Sequence, residues 1–268
     1  MNPVLVLAAL RRSRYGLALM AATMVLFTLL ISAARPVFIG PEGSPLLRLV
    51  PAGMVRAIAP FAGGDLARLA TNEGYLSAVL AHPFVILLIA LAGAGSVLAG
   101  VAGELERGPA RLILARPVSR VTLVASELAA AALGVLTLGV ALFAGQFAGS
   151  RLYGIDLDLG AYGLAVASLL LAGLAMTGVG ALAAAWNERG GAASSLAIAV
   201  IAGSYLLDYL TQLWEPIRFL GPASLFHWYR PATAATTAAL SLPEITVLGG
   251  IFMAAGAAAM IVFHRRDL

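Results

Sequence analysis

The sequence contains no lysine and no cysteine. All of its basic residues are arginine, whereas the P-loop of nucleotide hydrolases needs a lysine that contacts the β and γ phosphates. The chain is therefore not expected to hydrolyse ATP by itself. The absence of cysteine excludes disulfides, thiolate metal sites and cysteine nucleophiles.

Charged residues are also scarce, at 11% of the chain, whereas they make up about a quarter of a typical soluble domain. Hydrophobic residues account for 61% of the chain, and the mean hydropathy is +0.94. This composition indicates an integral membrane protein. The net charge of +4 does not indicate nucleic-acid binding, because the arginines are scattered among loops and form no single basic stripe.

Six apolar runs are long enough to cross about 30 Å of hydrocarbon, and they predict an all-α membrane protein with one transmembrane domain covering residues 1–268. The predicted spans are residues 15–34, 78–102, 121–148, 161–186, 192–212 and 245–263. Residues 1–14 combine a short apolar run with three arginines, which indicates a separate interfacial helix on the inner membrane face. A cleaved signal peptide is the competing interpretation of this N-terminal region, since basic, apolar and small-residue zones follow one another in the right order.

The distribution of arginine predicts the orientation of the spans. With the N-terminus inside, the inner segments hold ten arginines in 42 residues and the outer segments hold seven in 87. Arginine is thus about three times denser on the side that contains both termini, which is predicted to be the cytoplasm. The longest outer interval, residues 35–77, includes Met54, Ile58 and Phe61 at helical spacing, which indicates a short amphipathic helix.

The stretch from Gly103 to Arg120, between the second and third predicted spans, contains four arginines and two glutamates. Gly108 and Pro109 are predicted to begin a short surface helix there, because proline is well accommodated at the first helical position. Pro117 ends that helix, since the residue before a proline is disfavoured in the α conformation. Ser119 is a predicted N-cap for the next span.

This stretch resembles the cytoplasmic coupling segment of ABC-2 type permeases, the membrane subunits of a class of ATP-driven exporters. The residues that resemble the family's pattern are Glu104, Glu106, Gly108, Leu112, Ile113, Leu114, Arg116, Pro117, Val118, Ser119 and Arg120. Weaker similarities lie at residues 224–231 and 263–268, so that the resemblance covers about 32 of 268 residues. Glu127 departs from the pattern, because family members often carry lysine there, and no role is transferred to it.

The resemblance implies a permease subunit that pairs with a second copy or with a similar permease, and that binds a separate nucleotide-binding ATPase holding ATP and Mg²⁺. Arg111, Arg116 and Arg120 would then make polar contacts to the ATPase, residues 112–114 would fill its groove, and Glu104 and Glu106 would end the second span. The arginines have a second interpretation, as topology signals only. The family also begins with an elbow helix, lies in the prokaryotic inner membrane, and has short helices that re-enter the outer leaflet. For residues 214–244, an interfacial aromatic belt is the alternative.

Three ionisable residues lie within the predicted spans: His82, Glu127 and Asp208. Such residues are costly in a membrane and are functional hypotheses by default. Glu127 is expected about 10 Å, and Asp208 about 24 Å, along two spans that run in the same direction, at 1.5 Å rise per residue. This offset argues against a carboxylate pair. The simpler hypothesis is that Glu127 reaches the inner membrane boundary and Asp208 the outer one, and lining of a pathway is the alternative.

Two other functions remain open from sequence. One is a permease-like component of a metalloenzyme or cytochrome maturation system. The other is an intramembrane lipid-modifying enzyme, which would need ionisable residues converging at one depth. No histidine pair has metal-ligand spacing, and no cofactor is expected in this chain itself.

The predicted topology can be tested by cysteine labelling, because the chain has no cysteine of its own. Cysteines introduced at Gly108 and at Gly64 are expected to react from opposite sides of the membrane. A membrane-impermeant maleimide should label the Gly64 position in intact cells and the Gly108 position only after permeabilisation. Labelling of both positions from the same side would contradict the topology.

Overall fold

The computed structural model of the protein describes residues 2–38, 71–103, 119–187 and 189–266. Within these ranges all regular structure is helical and no strand is present. Six helices are long and apolar enough to cross a membrane, which confirms the predicted all-α architecture with six apolar helices. They are called spans one to six: Pro3–Phe38, Pro83–Gly103, Arg120–Leu152, Leu159–Trp186, Gly190–Leu213 and Leu242–His264.

Span one differs from the prediction of a separate interfacial helix at residues 1–14. It is one continuous α-helix from Pro3 to Phe38. The arginines at positions 11, 12 and 14 are good helix formers, and no proline interrupts the chain between them and the apolar run. At 1.5 Å per residue the 36 residues extend about 54 Å, so the helix is longer than the hydrocarbon layer is thick.

Span two begins at Pro83, five residues later than predicted. His82 precedes this proline and has an extended backbone (φ −64°, ψ 133°), as expected from the steric effect of proline on its predecessor. A short helix, Asn72–Ala78, and a 3₁₀ turn, Val79–Ala81, precede the break. Span two is also irregular inside, since Leu91–Gly95 and Ala99–Gly103 are π-helical. Single π turns within helices are frequent at functional sites.

Span four is the most buried of the six described spans, and it packs against spans three, five and six. Small residues allow these close contacts. A Cβ atom added at Gly180 would lie 2.7 Å from the Cα atom of Ala94 in span two, and one added at Gly178 would lie 3.0 Å from the Cα atom of Phe252 in span six. Close approach through small residues is the usual basis of helix association in membranes, where lipid is as apolar as the side chains.

Spans one and three form a second closely packed pair, with Gly145 and Gly149 of span three at the contact. A Cβ atom at Gly145 would lie 2.8 Å from the Cα atom of Val25, and Gly149 lies directly against Ser32. Ser32 in turn accepts a hydrogen bond from the side-chain amide of Gln146 at 3.1 Å. The glycines therefore let a polar contact form between the two helices.

The segment between spans five and six folds back onto the end of the bundle. It contains a 3₁₀ helix, Glu215–Ala223, and a short α-helix, Pro231–Thr237, which packs against span four and the Asn72–Ala78 helix. Tyr229 of this segment is buried, and its hydroxyl donates a hydrogen bond to the carbonyl oxygen of Leu80 at 2.9 Å. The segment is thus a packed part of the bundle and contains two short helices.

The contact at Gly180 generates a stability prediction with a matched control. Gly180→Ala should lower the free energy of unfolding by about 1–3 kcal/mol, because the new methyl group meets backbone that must move. Gly203→Ala should raise it by about 0.5–1 kcal/mol, since nothing lies within 4 Å and alanine is the better helix former. Thermal unfolding in detergent measures both changes. If both variants changed the free energy of unfolding in the same direction and by the same amount, the close approach at Gly180 would not be a constraint on packing.

Candidate functional site

An apolar groove with a volume of about 650 Å³ lies between spans two and five. Small side chains create it, because they leave space where larger ones would fill the gap between the helices. The small residues that line it include Ala90, Ala94 and Gly95 on span two and Gly191, Ala197 and Ala202 on span five. Its volume falls within the range of about 300–1,000 Å³ that is usual for ligand pockets.

A polar pocket of about 470 Å³ adjoins the groove where span five ends. Ile86, Tyr205 and Phe226 line both spaces. Further residues of the polar pocket come from the end of span five and from the segment that follows it. In its described lining the ionisable side chains, apart from tyrosines, are Asp208, Arg218, His227 and Arg230.

Asp208 belongs to this polar pocket, where it accepts a hydrogen bond from the side-chain amide of Gln212 at 2.7 Å. Nδ1 of His227 lies 4.0 Å from its carboxylate. Burial lowers the pKa of His227, the Arg230 charge lowers it further, and Asp208 opposes both effects. His227 is therefore largely neutral at pH 7, and its contact with Asp208 is then a polar contact and not a full ion pair.

Glu127 lies in a different environment. Its carboxylate oxygen Oε2 is 2.7 Å from the guanidinium nitrogen Nη2 of Arg12 in span one. The Glu127 side chain is 7% exposed and that of Arg12 is 33% exposed. Gly100 of span two lies directly beside the pair, and a side chain there would overlap with the carboxylate. The ion pair thus connects spans one and three next to the π-helical end of span two.

The contacts of Glu127 and Asp208 can be compared with their interpretation from sequence. The two carboxylates contact different residues: Arg12 is the partner of Glu127, and Gln212 donates a hydrogen bond to Asp208. Sequence reasoning missed that Glu127 has an arginine from span one as its partner. The sequence pattern indicates only a topology signal at Arg11, Arg12 and Arg14, and helical spacing alone does not show which distant acid an arginine reaches.

Of the predicted coupling stretch, the structure describes Gly103, Ser119 and Arg120. Ser119 caps span three, and its hydroxyl oxygen accepts a hydrogen bond from the Thr122 N–H at 3.1 Å, which confirms the predicted N-cap. Arg120 donates hydrogen bonds to the carbonyl oxygens of His264, at 3.5 Å, and Arg266. It therefore connects the start of span three to the end of span six. Glu104, Glu106, Gly108, Arg111, Leu112, Ile113, Leu114, Arg116 and Pro117 lie outside the described residues.

Glu244 is a buried carboxylate that the sequence interpretation did not single out. It is 2% exposed and accepts hydrogen bonds from the Ser168 hydroxyl of span four and from the backbone N–H of Arg230, the latter at 3.4 Å. The pattern Ser241-x-x-Glu244 is the signal that could have found it, because it is the sequence of a helix capping box. Ser241 does accept a hydrogen bond from the Glu244 N–H, at 3.3 Å. The Glu244 side chain instead connects spans four and six to the segment between spans five and six.

Burial raises the pKa of Tyr229 well above its ordinary value, and the nearby Tyr162, Glu244 and Tyr205 raise it further. Tyr229 is therefore a neutral hydrogen-bond donor and not a candidate base. Among the described residues, no group of three or more histidine or acidic side chains is placed to hold a metal ion.

The Arg12–Glu127 pair generates a double-mutant test. Glu127→Gln or Arg12→Gln should each lower the free energy of unfolding by about 2 kcal/mol, less than for a fully buried pair because Arg12 is a third exposed. In the double variant the free energy of unfolding should fall by about 1 kcal/mol less than the sum of the decreases in the two single variants. Chemical unfolding in detergent measures the cycle. Arg14→Gln is the matched control, since Arg14 is exposed and contacts its neighbour Tyr15, and it should change stability by less than about 0.5 kcal/mol. Additive losses would show that the pair contributes no coupling.

Comparisons of the chain with protein-family models, with curated proteins and with solved structures find no match. What the protein does must therefore be inferred from its own residues. Three features carry that inference: the apolar groove, the polar pocket at its end, and span two, which lines the groove and ends at Gly103.

Proposed function

We propose that the chain is the membrane subunit of an ATP-driven exporter and that it works with a separate nucleotide-binding ATPase. The observation that supports this most is the position of span two. Span two lines the apolar groove along its length and ends at Gly103, immediately before the stretch that resembles an ABC-2 coupling segment. A force applied to that stretch would act directly on one wall of the groove.

The irregularity of span two supports the same proposal. Its two π-helical stretches, Leu91–Gly95 and Ala99–Gly103, both contribute residues to the groove lining, and the second ends immediately before the coupling stretch in the sequence. Because a π turn contains one more residue than an α turn, conversion between the two forms changes the register of a helix without unfolding it. Span two can therefore change the groove when the coupling stretch moves. Nucleotide binding on the partner would shift the equilibrium between two such states.

The other parts of the proposal concern the partners. ATP and Mg²⁺ bind to the ATPase subunit, because this chain has no lysine for a P-loop. A second copy, or a similar permease, completes the pathway beside span five, where the apolar side chain of Leu206 is more than half exposed and lies outside the groove lining. The assembly lies in the prokaryotic inner membrane with both termini in the cytoplasm.

The same arrangement would serve a permease-like component of a maturation system, which differs in cargo and not in coupling. No observation favours an intramembrane lipid-modifying enzyme, because Glu127 and Asp208 contact different partners. Affinity purification in mild detergent, with identification of every partner, distinguishes the two permease roles. A neighbouring ATPase gene would support an exporter, and a neighbouring maturation cluster would support the other role.

The coupling stretch provides the decisive test. Leu112→Asp and Ile113→Asp should abolish co-purification of the ATPase and abolish transport, because each change places an unpaired charge against the apolar walls of the partner's groove. A loss of about 3 kcal/mol weakens the association by more than about a hundredfold. Membrane abundance should be unchanged, since no span is altered. Abundance, ATPase co-purification and transport are measured for each variant.

Ala110→Asp is the matched control, because it adds the same charge to the same stretch outside the apolar patch. It should retain the partner and transport. The purified chain alone should hydrolyse no ATP. Normal partner binding and transport in both the Leu112 and Ile113 variants would overturn the role of this stretch in coupling, and nucleotide turnover by the pure chain would overturn the division of labour between the subunits.

A further inference from the structure

The apolar groove and the polar pocket are continuous. Ile86 of span two, Tyr205 of span five and Phe226 of the following segment line both spaces. Phe226 packs edge-on against Tyr205, with 5.2 Å between the ring centroids, so that two aromatic rings stand where the groove meets the pocket. One ligand can therefore occupy both spaces at once, with an apolar part on one side of these rings and a polar part on the other.

The groove fits a long apolar group that lies parallel to the helices. Its lining on span two runs from Pro83 to Gly103, which corresponds to about 30 Å at 1.5 Å rise per residue. This equals the thickness of the hydrocarbon layer of a bilayer. Ser194 and Tyr205 are the only residues with a polar side-chain group in the described lining. Such a surface favours a hydrocarbon chain and disfavours a polar solute.

A neighbouring helix is a poorer fit to the groove. A 20-residue helix about 10 Å wide and about 30 Å long fills roughly 2,400 Å³. The groove has a volume of about 650 Å³. A helix could thus insert only part of its side chains, whereas an extended hydrocarbon chain can enter completely.

The polar pocket favours a negatively charged group. Arg218 and Arg230 line it, and Asp208 is the one carboxylate in its described lining. Asp208 already accepts a hydrogen bond from Gln212, and Arg230 uses Nε to donate to the carbonyl oxygen of His227 at 3.1 Å. Among the described residues, the terminal guanidinium nitrogens of Arg230 and the whole guanidinium of Arg218 have no hydrogen-bond partner. The planar guanidinium group with several donors is well suited to the oxygens of a phosphate.

We propose that the groove and the pocket together form one binding site for an anionic amphiphile, whose hydrocarbon chain lies between spans two and five and whose phosphate group contacts Arg218 and Arg230. As the cargo of the exporter this rests on the proposed function and specifies its substrate class. The binding site itself belongs to this chain and does not require the ATPase.

The test measures lipid binding to the purified full-length chain in detergent by native mass spectrometry, without the ATPase. The probes are phosphatidylglycerol and phosphatidylcholine with identical acyl chains, and glycerol 3-phosphate serves as a competitor that has the phosphate but no chain. Ala202→Trp fills the groove from an exposed position that lines it, and Ala199→Trp is its control on the same helix outside the lining. Arg218→Gln and Arg230→Gln remove the charges of the pocket, and Arg151→Gln is their control outside the lining.

We expect phosphatidylglycerol to bind about tenfold more tightly than phosphatidylcholine, and each pocket arginine variant to weaken phosphatidylglycerol binding by about tenfold. Ala202→Trp should weaken binding of both lipids, whereas Ala199→Trp and Arg151→Gln should bind as the wild type does. Glycerol 3-phosphate should not compete at concentrations comparable to the lipid.

Three results would overturn the proposal. Equal affinity for the two lipids would show that Arg218 and Arg230 do not recognise the anionic headgroup. Effective competition by glycerol 3-phosphate would show that the groove does not contribute to binding. Unchanged lipid binding in Ala202→Trp with a changed oligomeric state would show instead that the groove is an interface between two copies. Because the ATPase is absent from this experiment, the outcome is independent of the Leu112 and Ile113 variants that test the exporter function.

Discussion

The close approach of backbones at small residues is the constraint on which the rest of this bundle depends. Gly173 and Gly180 of span four lie directly against Ile89 and Ala94 of span two, so that the irregular helix next to the groove is supported from behind. In a membrane the hydrophobic effect does not favour contact with another helix over contact with lipid, because both are apolar. Close packing of this kind must therefore hold the helices together. Span two can therefore contain two π-helical stretches and still have a defined position.

The groove follows from the same composition. Alanine and glycine on the facing sides of spans two and five leave the groove between the helices, while Gly93 and Ala94 of span two allow span four to approach at Gly173 and Gly180. The groove ends where the chain supplies charge, at Arg218 and Arg230 of the segment after span five. Spans two and five and the segment after span five thus form a site that is apolar along its length and charged at one end. Span two connects this site to the stretch proposed to bind the ATPase.

Buried polar groups show how the remaining elements keep their places. The Arg12–Glu127 pair joins spans one and three and requires a glycine at position 100. Glu244 joins spans four and six to the segment that contributes the polar pocket. Breaking such a buried contact on one side leaves a charge or a polar atom without compensation, which is more costly than never having placed it there. Both contacts therefore define which helices are neighbours.

The sequence by itself determined the six apolar helices and the N-cap at Ser119, because hydropathy and capping are local properties. Two boundaries differ from the prediction, since the arginines at positions 11, 12 and 14 lie inside one continuous helix and Pro83 delays the start of span two. Only the tertiary structure decided that Arg12 reaches Glu127, 115 residues away, that Glu244 meets Ser168, and that the groove opens into a pocket with two arginines. These features depend on which helix faces lie together. That choice is made by packing among residues far apart in the chain, and no local pattern encodes it.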